Sequence, residues 1–238
     1  MMLAGMKSAS AALSRHERVQ EVSAQNLANT VTPGYKRVSL AFGELMEREA
    51  SSQSENGRQT VVVDFSQGAL IQTENPLDLA IKGDAFFTVR DPKTGEIRYT
   101  RNGSFSLNTR GELETRDGAI VLGQNGPISM GRSVKRIEID RNGVVRADNA
   151  NVGRLRLDKV LNPETLRPAG KTSFTPDPSR TKVTRAEDSA VLQGQLEVSN
   201  VNPITEMVTM LANLRQFEAC NKSLGAIQNS AGKLFQTI

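Results

Sequence analysis

Apolar residues follow two different periods along this 238-residue chain. At both ends they recur every three or four positions, as on one face of a helix; between the ends they alternate or run in short blocks, as in strands. From Met2 to about Ala28 there is no Pro and no Gly after Gly5, and Met6, Ala9 and Leu13 form one stripe beside a second of Ala12, Val19 and Val22, with Leu27 near the end. A first helix is expected there. At the other end Asn202-Pro203 supplies an N-cap followed by Pro at the first helical position, and Glu206 puts a negative charge in the first turn. Beyond it Met207, Met210, Leu214, Phe217, Asn221, Leu224, Gln228, Ala231, Phe235 and Ile238 alternate spacings of three and four, a heptad seam with polar interruptions. Ile204 and Leu211 flank it on one side, Cys220, Ile227 and Leu234 on the other. This apolar surface is wider than one partner helix requires.

From about Gln59 to Leu196 the signal is β. Thr60-Val-Val-Val63, Phe86-Phe-Thr-Val89, Ile137-Glu-Ile139 and Val152 to Leu157 are β-branched, aromatic or alternating. Asn-Gly pairs begin at 56, 102, 125 and 142, and Asp91-Pro-Lys-Thr-Gly95, Asn108-Thr-Arg-Gly111 and Arg116-Asp-Gly118 add tight turns. Short antiparallel strands are the expectation. Residues 161–187, with four prolines, read as a long excursion, and residues 47–58 as a polar connector. The fold class expected is therefore α+β: long N- and C-terminal α-helices packing together as a coiled-coil-like region, with a central, mostly antiparallel β domain. The expected division is an N-terminal helix region 1–33, a connector 34–58, a β domain 59–196 and a C-terminal helix region 199–238. The helical ends leave two readings open, a hairpin stalk closing a monomer or a surface for assembly. A helix of some 30 residues is about 45 Å long, which favours packing on neighbours, and the Ser, Gln and Asn on the stripes make helix stability depend on them.

Composition narrows the function. The chain carries 24% charged residues and no apolar run near the length of a spanning helix. Its 30 Lys and Arg against 26 Asp and Glu are dispersed, and with no Trp and two Tyr it lacks a basic, stacking surface for nucleic acid. One cysteine, Cys220, and one histidine, His16, exclude an internal disulfide and a Cys/His zinc site. The first residues lack the pattern of a secretory signal peptide. His16 lies among Arg15, Glu17 and Arg18, where a solvated or interhelical polar role outweighs catalysis, and Cys220 sits in the heptad helix as a small hydrophobe. Lys93-Thr-Gly95 and Ser230-Ala-Gly-Lys233 match two motifs of the serine penicillin-recognising enzymes, but in reversed order and without the third. No catalytic set, cofactor motif or metal site is expected.

Several stretches resemble one family. Ala24-Gln-Asn-Leu-Ala-Asn-Thr-Val-Thr-Pro-Gly-Tyr-Lys36 resembles the N-terminal signature of the bacterial flagellar rod and hook proteins, and Ser199-Asn-Val-Asn-Pro203 with Leu214-Arg-Gln-Phe-Glu218 is similar to their C-terminal signature. The motif positions are Asn26, Asn29, Thr32, Pro33, Gly34, Tyr35, Ser199, Asn200 and Asn202. Asn75 to Gly83, Phe86-Phe87 and Tyr99 to Phe105 resemble the β domain of the longer rod proteins. Val121-Leu-Gly-Gln-Asn-Gly-Pro-Ile128 is more similar to the proximal-rod branch than to the distal one. The resemblance implies a non-enzymatic structural subunit of the basal-body rod, without cofactors. It also implies export by the flagellar type III apparatus without a cleaved signal, and helical polymerisation with copies of itself and other rod proteins into a shaft crossing the periplasm, with no direct membrane insertion. Its assembly contacts would use Met6, Leu13, Val22, Leu27, Met207, Met210, Leu211, Leu214, Phe217, Leu224, Ile227 and Leu234.

Overall fold

The computed structural model describes residues 2–42, 59–131, 134–186 and 188–236, with side chains from 8 to 41 and from 61 to 226 within those spans. The polar stretch 47–58 read as a connector lies outside them. The chain divides into two units, one of Met1–Asn29, Arg37–Asp64 and Val201–Ile238, the other of Thr30–Lys36 and Phe65–Asn200.

The first unit holds both long helices, α1 (Met2–Ala28) and α2 (Pro203–Gln236), and a two-stranded antiparallel ribbon of β1 (Val38–Phe42) and β2 (Gln59–Val63) in which Val38 faces Val63. α2 starts where the capping residues put it: Asn202 Oδ1 accepts the backbone N–H groups of Ile204 at 3.0 Å and Thr205 at 3.2 Å, and Pro203 occupies the first turn. β1 lies in the stretch read as connector and is tied to α1 through Asn26. That side chain donates to Val38 O at 2.7 Å and accepts from Val38 N at 2.9 Å.

One helix at each end of an antiparallel β region is what the structure contains, but the coiled-coil-like apolar seam expected between the helices is not. Of the seam residues, Met207 and Leu214 are 50% and 45% exposed, with Leu211 on their flank at 60%. The buried positions one residue earlier are polar, Glu206 at 1% and Asn213 at 7%, and α1 buries Ser23 and Asn26. The physical reason is pairing. Asn26 and Asn213 are hydrogen-bonded within the unit and Glu206 Oε1 is paired with Arg37, although Glu206 Oε2 has no hydrogen-bond partner among the described residues, so burial costs less than hydropathy suggests and the more apolar face is left outward.

Among its described residues the second unit is built of β-strands, turns and one 3-10 turn, Pro163–Thr165. Its strands in order are β3 (Leu70–Gln72), β4 (Leu79–Lys82), β5 (Ala85–Arg90), β6 (Ile97–Thr100), β7 (Phe105–Leu107), β8 (Leu113–Thr115), β9 (Ile120–Gly123) and β10 (Gly126–Pro127). There follow β11 (Ile137–Ile139), β12 (Val144–Ala147), β13 (Ala150–Arg154), β14 (Leu157–Val160), β15 (Arg167–Pro168), β16 (Ser173–Thr175), β17 (Val183–Arg185), β18 (Ala190–Gln193) and β19 (Gln195–Glu197). Ten of these form one sheet centred on β5, which pairs with β6, β9 and β14. Every strand pairing described is antiparallel. β5 is buried from Ala85 to Val89, and its side chains meet Leu79, Phe105, Leu113, Val121, Val145 and Leu157 in the main core. The Asn142-Gly143 turn joins β11 to β12 with Asp140 accepting from Asn142 N and Val144 N at 2.9 Å each. Residues 161–186 are a loop interrupted by three very short strands.

Candidate assembly surfaces and buried polar junctions

On α2 the residues Ile204, Met207, Val208, Leu211 and Leu214 fall at spacings of three, one, three and three, which places them on one side of a helix. All five are large, apolar and 45% to 72% exposed. The opposite side of α2 carries half-buried Met210, Phe217, Cys220 and Leu224 together with buried Glu206 and Asn213. On α1, Leu13, Val22 and Leu27 are half-buried. The side chains of Met6, Ile227 and Leu234 lie outside the described residues.

α1 and α2 are joined by a polar layer that hydropathy does not reveal. Asn213 Nδ2 donates to His16 O at 2.8 Å and to Gln20 Oε1 at 3.2 Å, so Asn213 Oδ1 is the acceptor facing His16 Nδ1 at 2.7 Å. His16 thus has the interhelical polar role, and its Nδ1 carries the proton in that contact. Nearer the start of α2, Glu206 Oε1 accepts from Arg37 Nε at 2.6 Å.

In the β unit the motif residues Thr32 to Tyr35 form a tight turn, closed by Tyr35 N donating to Thr32 O at 3.3 Å. Gly34 has φ +67, and a Cβ on it would overlap the Asn102 backbone nitrogen. Only glycine fits both conditions. Gly34 N donates to Glu197 O at 2.8 Å. Ser199 is buried, and Asn200 Nδ2 donates to Ser66 O at 3.2 Å and Oγ at 3.1 Å. Asn29 belongs to the other unit and donates to Gln25 O at 2.8 Å.

Beside that turn lies an ion cluster. Lys36 Nζ donates to Glu197 Oε1 at 2.6 Å and to Ser66 O at 2.7 Å, with both charged side chains fully buried. Glu197 Oε1 also accepts from Gly68 N at 3.0 Å, and Oε2 accepts from Arg101 at 3.4 Å. Arg101 lies over the Phe86 ring, 4.8 Å from its centroid. Burial pulls the guanidinium pKa below its ordinary value, and the Glu197 charge opposes that pull. Sequence reading noted Lys36 and Arg101 only within motifs and did not single out Glu197, because nothing local marks a carboxylate whose partners lie 96 to 161 positions away.

Among the described residues no group of His, Cys, Asp or Glu side chains could hold a metal ion, and no helix is long and apolar enough to cross a membrane. Residues 80–147 match the family described as "Flagellar hook protein FlgE/F/G D1 domain", and residues 192–237 match "Flagellar basal body rod FlgEFG protein C-terminal". The chain is 32% identical over 233 residues to the flagellar basal-body rod protein FlgF of Escherichia coli, covering 92% of each. It is 30% identical over 226 residues to the FlgF of Mesorhizobium japonicum, covering 93% of this chain and 92% of that protein. To the flagellar basal-body rod protein FlgG of Buchnera aphidicola it is 30% identical over 243 residues, covering 90% of this chain and 92% of that one.

Proposed function

The chain belongs to the flagellar basal-body rod protein family as a structural subunit of the proximal-rod type, and on that premise we propose how it is built into the rod. The exposed stripe Ile204, Met207, Val208, Leu211 and Leu214 is the observation that carries the reading. It receives the terminal helices of neighbouring rod subunits, copies of this chain and other rod proteins alike. Contacts of this heterologous kind do not close on themselves, so they propagate as a helix. Leu13, Val22, Met210, Phe217 and Leu224, half-buried in the single chain, complete their burial as neighbours add. The β unit forms the outer layer, and the assembled shaft crosses the periplasm and passes torque on to hook and filament. Export runs through the flagellar type III apparatus without a cleaved signal. Its relatives are structural rod proteins, and the chain performs no catalysis.

Leu211→Asp with Leu214→Asp tests the stripe. Both sites are exposed, so the isolated chain should keep its stability within about 0.5 kcal/mol. A desolvated carboxylate costs several kcal/mol once a neighbour covers it, so the variant should be missing from purified basal bodies. Normal incorporation would refute the reading. The FlgG relative supports a distal-rod position as the second reading, and locating the subunit in a basal-body map separates the two.

A further inference from the structure

We propose that Glu197 is the positioning residue through which the β unit grips every chain segment that leads out of it. The chain passes between its two units after residues 29, 36, 64 and 200. The segment between the first two crossings is held at two points, Gly34 N on Glu197 O and Lys36 Nζ on Glu197 Oε1. The segment entering after residue 64 is held by Gly68 N on Glu197 Oε1, and by Ser66 O, which accepts from Lys36. The segment leaving at Asn200 is the continuation of Glu197 itself, and Asn200 is bound to Ser66. Arg101 ties the same carboxylate to the turn after β6, whose Gly103 O accepts from Leu79 N in the core. Thus one residue, through its carboxylate and its backbone, connects the exits to the central sheet.

Stability alone does not account for this chemistry. An apolar cluster of the same volume commonly holds a fold as well as a buried ion cluster does, whereas removal of one partner leaves a charge without compensation. What short, directional contacts add is fixed geometry: apolar surfaces slide past one another under shear, and hydrogen bonds of fixed length and angle resist it. The close approach is built in, since a Cβ at Gly68 would overlap Val198 O just as one at Gly34 would overlap Asn102 N. Resting on the rod reading, the grip is the place where load arriving along the chain is shared among segments instead of peeling one away.

Two variants of the full chain test this in cells where each is the sole copy. Glu197→Gln removes the carboxylate charge that faces buried Lys36 and Arg101 and should lower the melting temperature of the β unit. The compensated variant Lys36→Met/Arg101→Met/Glu197→Leu should melt cooperatively at or above the parental temperature and enter basal bodies. Under the proposal it should nonetheless lose swimming in medium thickened with methylcellulose and yield rods that break on shearing, while swimming in thin medium persists. Load-bearing equal to the parent would overturn the grip, as would failure of the compensated variant to fold, which would make the cluster a requirement of the fold alone. Absence of the parental protein from basal bodies would instead refute the rod reading.

Discussion

Gly34 shows how a single residue type can be fixed by two independent constraints. Its φ of +67 is strained for any side chain, and the Asn102 backbone leaves no room for a Cβ. Gly34→Ala should therefore destabilise the β unit by about 2 kcal/mol or more, seen as a lower melting temperature with unchanged transition slope. Asp177 makes a different single-residue case. Its carboxylate is held below the usual aspartate range by the Ser179 hydroxyl and backbone N–H, with Arg167 adding to the effect. A depressed folded value means the contribution is complete above the ordinary aspartate value and is lost as pH falls through the folded one. Amide protection factors in residues 162–182, taken relative to the intrinsic exchange rate at each pH, should consequently fall in acid before those of β5, and Asp177→Asn should remove the pH dependence of the difference.

Among elements, the α1–α2 pair departs most from its sequence pattern. Asn213→Leu would remove three hydrogen bonds and leave His16 and Gln20 short of partners. It should lower the exchange protection of α1 by about 1–3 kcal/mol, from a level in the isolated chain already below that of β5. The start of α2 and the tight turns were legible because capping and turn chemistry is local: Asn202 acts on the next three residues, Asp140 on the next four. The inward face of α2 was not. Met210, Phe217 and Leu224 are only half-buried, and the buried positions of the helix are Glu206 and Asn213 in place of Met207 and Leu214. What decides their orientation is Arg37 and His16, remote in sequence and invisible to a periodicity. The Glu197 cluster escaped for the same reason, and the Gly34 turn did not, since its residues are contiguous.

At the scale of the whole molecule, the β unit carries its own core and its own buried ion cluster, with no residue beyond Asn200. A chain ending at 200 should melt cooperatively, as judged by agreement of calorimetric and van't Hoff enthalpies; a gradual transition would show that α2 belongs to its fold. The full chain should behave differently in solution from this shortened one, because of how α2 distributes its chemistry. Turning Glu206 and Asn213 inward and five large apolar side chains outward is an inside-out design for water, comparable to that of a helix whose solvent is lipid. In the proposed rod assembly the solvent of α2 is other helices. In that assembly such a surface gives the subunit a critical concentration, below which the chain stays dispersed and above which copies condense. The cell therefore has to keep the local concentration low until the growing tip is reached, and the position of that threshold is written in the side chains of one helix face.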